Sequence, residues 1–433
     1  MFYIVETAEQ LQQLQPTKEA YIEVISGNSN YHPILTSAVV VYYHNGEKGY
    51  VFPINHTEAF KLDYDLVKSF LSKHSKLYCV DKKFTSYFLD LENLLDLGFI
   101  ILDKENKLPE LEDTTQIQRE LYRDYYYKND INRIIPISKL YETAERKYQK
   151  VSSYIGGSYD DFYDRMIKVY KKVEEAGIQT EEKTLNKHFE LNYSAYTIKD
   201  NVLYTTYNLH NLTSRPTNSG NGINLLALNK ETGGRAAFVP KGTMFLELDV
   251  TAYHPSLLAK MTGFYDNSED IYTSIAEERL GRAVTPEERE EEKQRTFKAI
   301  YGGMTEDDMT VTFFNKVAKM QEYLWQECIR QGGIYLPTGR WLKKADNLYP
   351  QKLFNYYIQN LETLTNVEML EEILEILDNH SSRVNLVVYD SFLIDFYTAD
   401  GKEPIQKIQE IIKKHGFTTK LKYGNNYNNL QKR

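Results

Sequence analysis

The sequence predicts an α+β fold, and three changes of texture along the chain predict it. Residues 1 to about 110 mix short β-rich runs with amphipathic stretches, about 114 to 200 are charged and helical in period, and from about 201 strand-like runs alternate with long helices. In the first segment AYIEVI and SAVVVYYHN read as strands, and GYVFPI as a third. DYDLVKSFLSKH and FLDLENLLDLG have helical spacing. DKENKLPELEDTTQ is polar, carries a proline and reads as a linker. In the second segment ISKLYETAERKYQKV and YDDFYDRMIKVYKKVEEAG place apolar residues at helical intervals, the latter stopping at Gly177, a natural C-cap. With so little strand, this segment reads as an arm rather than a core. In the third, the strand-like TMFLELDV and NLVVYDSFLIDFY alternate with GRAVTPEEREEEKQRTFKAIYGG and NYYIQNLETLTNVEMLEEILEILDNH, a sheet with helices packed on it.

The chain has 433 residues, enough for roughly two or three domains. No apolar run approaches the ~20 residues of a membrane helix, and MFYIVETAEQ lacks a signal-peptide core. The only cysteines, Cys79 and Cys328, match no metal or redox spacing and suit a reducing cytosol. A cytoplasmic location and no membrane partner are therefore expected. The net charge of −9 argues against a broadly basic surface, but an acidic protein can still hold a basic cleft. Lys407 to Arg433 carries seven Lys or Arg against one acid, read as a solvated helix and tail.

FLELDVTAYHPSLLAKM places Asp249 at the end of an apolar strand. An unpaired carboxylate in such a place is costly, so a salt bridge or a metal ion should stabilise it. VNLVVYDSFLIDFY repeats the signature, with Asp390 in a tight hairpin turn between apolar halves. If the two strands are neighbours, their carboxylates converge and repel unless a cation lies between them. Oxygen-only ligation favours Mg²⁺ or Mn²⁺, and two such ions suit phosphoryl transfer. As a bare pair, two unrelated turn aspartates explain the pattern as well. In REEEKQRTFKAIYG, Arg289, Lys293, Phe297 and Tyr301 recur every four residues on one helix face. That face suits a triphosphate followed by stacked rings. An amphipathic helix with core aromatics and solvated cations fits it too.

An acid at a strand end, then Arg-x3-Lys-x3-Phe-x3-Tyr-Gly, then an acid in a hairpin resembles motifs A, B and C of family A DNA polymerases. Thr213-Ser-Arg215-Pro-Thr-Asn-Ser with Asn224, Gly234-Arg235-Ala-Ala-Phe-Val-Pro240, Asp270-Ile-Tyr-Thr273, Thr338-Gly-Arg340, Asn355-x3-Gln359 and the closing KLKYGNNYNN extend the resemblance in order over roughly 165 to 433. It implies a right-hand polymerase fold: an antiparallel palm sheet, helical fingers and a short helical thumb, preceded by a small degenerate exonuclease-like α/β domain. The boundaries expected are 1–110 exonuclease-like, 111–200 thumb, 201–264 palm, 265–335 fingers and 336–433 palm.

The resemblance implies two Mg²⁺ ions, or Mn²⁺ in their place, held by Asp249, Asp390 and the carbonyl of Val250. Arg289 and Lys293 would meet the phosphates, with Lys293 a proton donor to pyrophosphate. Phe297 would pack on the incoming nucleotide, and Tyr301 would guard the template slot. Arg215, Asn224, Arg235, Arg340, Asn355, Gln359 and Tyr389 would contact DNA. The partners implied are primer–template DNA, dNTPs and replication proteins.

The sequence also departs from the family. The motif A glutamate that gates against ribonucleotides is absent, and His254 stands in its place. DVTAYHPSL resembles the family B motif instead, yet Lys298 occupies the position of that family's fingers asparagine. Motif C reads Tyr389-Asp390-Ser391 where His-Asp-Glu is usual, and Gln351 replaces an arginine. In the first domain Glu23 lacks its paired aspartate and Thr85 stands for another acid. A proofreading-dead scaffold is expected, in a divergent member of phage or mobile-element type. The function expected is template-directed DNA synthesis. The alternatives are a catalytically impaired, DNA-binding replication accessory and a polymerase with relaxed sugar selection.

Overall fold

The computed structural model describes residues 3–125, 128–189, 197–218, 222–264 and 270–432. Ser219 of the Thr213 segment and Arg433 of the basic tail lie outside the described residues. The chain divides into two units. The first comprises residues 1–159, 170–210 and 218–227, the second 160–169, 211–217 and 228–433.

The first unit is built on a six-stranded mixed sheet. Its strands are β1 (Tyr3–Ile4), β2 (Glu19–Ser26), β3 (Ala38–His44), β4 (Gly49–Pro53), β5 (Lys76–Cys79) and β6 (Leu94–Asp96), in the order β1-β4-β3-β2-β5-β6. All three strands expected from sequence are present. Residues 88–98, expected to be helical, instead give β6, which pairs parallel to β5, and then helix α1 (Leu97–Glu105). Asp96 ends the strand and caps the helix, its side chain accepting from Phe99 N. A short leucine-rich run cannot distinguish period 2 from 3.6, and the sheet decides it. Helix α2 (Ile137–Val151), expected in an arm, packs Ile137, Leu140, Ala144 and Val151 with Tyr21, Tyr42 and Tyr78 of the sheet. An apolar stripe finds a lower free energy buried than in an arm.

The second unit has a five-stranded antiparallel sheet. Its strands are β7 (Met244–Val250), β8 (Arg383–Val388), β9 (Ser391–Phe396), β10 (Thr419–Gly424) and β11 (Gln431–Lys432), ordered β8-β9-β7-β10-β11. The helices that matter for the site are α3 (Tyr253–Thr262), α4 (Ile271–Leu280), α5 (Pro286–Gly302), α6 (Thr312–Gln331) and α7 (Pro350–Leu377). Leu258, Ile275, Ile300, Phe314 and Phe354, one from each, share a single buried cluster. Helix α5 starts with Thr285 in a capping box with Glu288, and Pro286 opens it. No helix among the described residues is long and apolar enough to cross a membrane.

Candidate active site on the antiparallel sheet

Strand β7 is central and pairs with β9 in the register Asp249↔Ser391. The hairpin turn between β8 and β9 is Tyr389-Asp390, and Val250 N donates to the Asp390 carbonyl at 2.9 Å. The two aspartates expected to converge therefore do so, from residues 141 apart in sequence that are adjacent across the sheet. Burial, and then the charge of Asp249, push the Asp390 carboxyl up to about 6. Asp249 has a partner: Nζ of Lys422 on β10 donates to its Oδ2 at 2.8 Å and to Glu247 Oε2 at 2.6 Å. The salt bridge raised as one answer for Asp249 is thus present.

The donor set nevertheless fits a hard divalent cation. Two carboxylates present only oxygen, and the strain on Asp390 is of the kind a cation between them relieves. Among the described residues no group of three or more His, Cys, Asp or Glu gathers around one point. A divalent cation held there by the two carboxylates would take its remaining ligands from backbone, water and substrate oxygens, as Mg²⁺ sites on phosphate substrates commonly do.

Helix α5 turns its cation–aromatic face outward. Phe297 is 40% exposed while Ala299, across the helix from it, is buried and Tyr301 is partly buried against the same cluster, so Phe297 is not core. Phe297 and Tyr301 stack with centroids 6.2 Å apart and an interplanar angle of 8°. Arg289 donates to Asp270 (Nη2 to Oδ1, 3.1 Å) and lies 5.3 Å from the Tyr272 ring. Lys293 pairs with Glu290 at 3.0 Å in a half-exposed position, where solvent screens the pair and it contributes little. Burial, the Glu362 charge and, further down, the Asp390 charge hold the Tyr301 hydroxyl above its ordinary range, so Tyr301 feels the Asp390 charge.

Helix α7 connects the loops of the site. Its buried Asn360 donates to Ser214 Oγ at 3.0 Å and accepts from Thr338 N at 2.9 Å. Glu362, 1% exposed, accepts from His254 Nε2 at 2.8 Å and from Arg215 Nη2 at 3.2 Å. Asn366 accepts from the Tyr253 hydroxyl at 2.9 Å and donates to the Tyr389 carbonyl at 2.8 Å. Ser214, Ala252 and Tyr389 all have positive φ, at 57°, 50° and 55°. Each precedes a site residue by one or two positions, and non-glycine residues adopt this backbone only when their surroundings hold it. Sequence reasoning missed Asn360, Glu362 and Asn366. The signal available was a polar run, NLETLTN, in the middle of a helix with apolar residues on every side.

The other expected DNA contacts are placed differently. Arg215 packs its guanidinium 3.9 Å from the Tyr389 ring. Asn355 and Gln359 are half-buried on α7, with Asn355 accepting from Gln351 at 3.4 Å. Gln351, standing where the family has arginine, also donates to the Ile300 carbonyl near the end of α5. Arg235 donates to the Leu228 carbonyl at 2.6 and 2.9 Å and stacks on Tyr427. Arg340 is 1% exposed and donates to the carbonyls of Asn211 and Leu212 at 2.6 and 2.7 Å. Its charge serves the loop before Arg215, because a buried guanidinium must be saturated locally. Asn224 belongs to the first unit, where its side chain accepts from Ala227 N.

In the first unit Glu23 and Thr85 line one cavity of about 230 Å³, together with Asp81 and Lys147. Lys147 Nζ donates to Glu23 Oε1 at 2.5 Å and the Tyr21 hydroxyl to Oε2 at 2.9 Å.

No family model matches the chain, and no curated protein sequence does. Among solved structures it is similar to the polymerase domain of Pol1 from M. smegmatis, solved in complex with DNA primer–template and dNTP. The TM-score is 0.70, with 99% of each chain covered at 13% identity. The chain has a polymerase-domain fold.

Proposed function

We propose that this chain is a template-directed DNA polymerase that adds dNTPs to a primer 3′-OH, a compact and divergent relative of family A polymerases. The observation that carries the reading is the adjacency of the strand ending at Asp249 and the turn at Asp390 on one sheet, with a helix whose Tyr301 feels the Asp390 charge and whose Arg289, Lys293, Phe297 and Tyr301 recur every four residues. A polymerase-domain fold over the whole chain supports it.

In this reading Asp249, Asp390 and the Val250 carbonyl hold two divalent cations, Mg²⁺ or Mn²⁺. When bound, these supply charge neutralisation at the attacking and leaving oxygens. Lys422 then keeps Glu247 as its partner. Lys293 exchanges the weak Glu290 contact for the triphosphate and gives its proton to the departing pyrophosphate. Arg289, fixed by Asp270, holds a second positive charge on the same face. Phe297 and Tyr301 offer the nucleotide a pair of stacked rings, and His254 lies beside Tyr301 as the bulk that limits the sugar. Arg215, whose side chain is 26% exposed, donates to base acceptors at the primer end. Asn355, Gln359 and Tyr389 lie along the same path, and primer–template DNA is the partner. Residues 201–264 and 336–433 act as palm and 265–335 as fingers, while the 1–110 sheet with α2 packed on it is an exonuclease-like scaffold, which leaves the thumb to the helical residues between Val151 and 200. The Lys147 ammonium on Glu23 supports a scaffold without proofreading, because an ammonium cannot activate water as a metal does.

Primer extension on a DNA template with Mg²⁺ tests the reading, with dNTPs and rNTPs side by side. Template-directed dNTP addition by the wild type, abolished by Asp249→Asn and reduced by about 10²-fold or more in Lys293→Ala, is the expected result. Tight primer–template binding with no extension would instead favour a replication accessory. Equal use of rNTPs would remove His254 as the gate.

A further inference from the structure

Glu362 is a buried carboxylate that no part of the chemistry above uses. It sits inside α7, 1% exposed, with both oxygens engaged: Oε2 accepts from His254 Nε2 at 2.8 Å and Oε1 from Arg215 Nη2 at 3.2 Å. The other imidazole nitrogen, Nδ1, is hydrogen-bonded to the Tyr301 hydroxyl. Tyr301 stacks in turn on the exposed ring of Phe297. A line of direct contacts therefore runs from the interior of α7 to the open face of α5, through residues 362, 254, 301 and 297.

Proton positions along this line follow from the chemistry of its end. When the Glu362 oxygen accepts from Nε2, His254 carries its proton there. In the neutral imidazole that leaves a lone pair on Nδ1, and Tyr301 must then donate. The Tyr301 hydroxyl proton is committed to His254, and its ring is held at one angle beside Phe297. Without Glu362 the imidazole has two tautomers and two ring orientations to choose from, and Tyr301 loses its fixed acceptor. The same carboxylate also accepts from Arg215, so a single side chain contacts His254 in the first turn of α3 and Arg215 on its loop.

We propose that Glu362 is a positioning residue for sugar selection: by fixing the His254 tautomer it holds Tyr301, and so the wall against which the sugar of an incoming nucleotide is seated. This rests on the polymerase reading for its substrate, but not for its geometry.

The test uses the full chain carrying Glu362→Gln or Glu362→Ala. Gln keeps the volume, so this variant is expected to fold, yet its amide either donates to or accepts from Nε2. ¹⁵N NMR of labelled histidines reads the tautomer with no need for activity, the His254 signals being assigned by their loss in His254→Ala. The wild type should show Nε2–H alone, and both variants a mixture. Extension assays then give kcat/KM for a dNTP and its rNTP. The ratio should fall about tenfold in Glu362→Ala and less in Glu362→Gln, chiefly through a higher KM for the dNTP. A merely structural role would lower both substrates alike and leave the ratio unmoved. A wild-type tautomer in both variants, or a changed tautomer with an unchanged ratio, overturns the proposal. A wild type that extends no primer sinks the polymerase reading instead, and the tautomer alone then decides whether Glu362 positions His254.

Discussion

Asp249 and Lys422 meet diagonally across adjacent strands, with Oδ2 accepting from Nζ at 2.8 Å. Glu247, two residues earlier on the same face of β7, accepts from the same ammonium at 2.6 Å. Lys422 is thus a cation already resident beside the carboxylate pair. Lys422→Ala leaves Glu247, which is 4% exposed, buried without its partner, and the loss should be about 3–5 kcal/mol. It also frees Asp249, so Mg²⁺ should raise the melting temperature of the variant more than that of the wild type. Thermal melts with and without Mg²⁺ check both. A variant as stable as the wild type would show that the ammonium contributes little.

Asp390 gives a pH signature. Folding raises its carboxyl from the ordinary 3.8 to about 6, so the folded chain binds this proton more tightly than the unfolded chain. The stability contribution is therefore present at low pH and is lost as pH rises from about 4 to about 6, with no further change above. Asp390→Asn should abolish that slope and make the metal-free protein more stable at neutral pH, while extinguishing primer extension. Mg²⁺ should stabilise the wild type alone. Melts across this pH range in the presence of a chelator decide it, and a slope retained by Asp390→Asn would assign the titration to another group.

Much of this site is legible in the sequence, and the part that is not has a common physical cause. Asp249, Asp390 and the face of α5 announce themselves because strand and helix periods are local, and because acids at the ends of apolar strands are conspicuous. Lys422, Glu362 and Asn366 do not, because what they do depends on partners 173, 108 and 113 residues away. No local period encodes such pairings. The carboxylate that the family resemblance expects at position 254 is absent there, yet α7 brings one to the histidine that replaced it. Arg340 misleads for the same reason: a Thr-Gly-Arg triplet says nothing about burial. In the first unit the leucines of 88–98 read equally well in two periods, and only pairing with β5 makes Leu94–Asp96 a strand.

The first unit holds a buried ion pair between Lys83 and Glu174. Burial pushes the Glu174 carboxyl up, while Lys83, the Tyr87 hydroxyl and Tyr207 N, donating at 2.7 and 2.6 Å from the last two, oppose the shift. Lys83→Ala should cost about 3–5 kcal/mol, because a buried charge loses its counter-ion, whereas replacing both partners by Met and Leu should cost far less. Urea denaturation of the single and double variants measures the difference. Equal losses in the two would mean that packing dominates there, not charge.

Ala252 lies between Asp249 and His254 with φ 50° and ψ 43°. Left-handed backbone costs a residue with a Cβ about 1–2 kcal/mol, and glycine removes that cost at some loss to unfolded-state entropy. Ala252→Gly should therefore raise stability by about 0.5–1 kcal/mol while loosening the approach to His254, so that the KM for nucleotide rises. Denaturation and steady-state extension together test the trade. A destabilised variant would show that the Ala252 methyl group packs more strongly than its backbone strains.

The Lys147–Glu23 contact has a practical corollary for anyone handling the purified protein. The positive charge that settles Glu23 is tethered to the backbone. Chelators and dialysis cannot strip it, and no salt in the buffer has to supply it. That corner of the molecule keeps its shape in a metal-starved preparation, whereas Asp249 and Asp390, as the proposed metal ligands, would answer to whatever cation the solution provides.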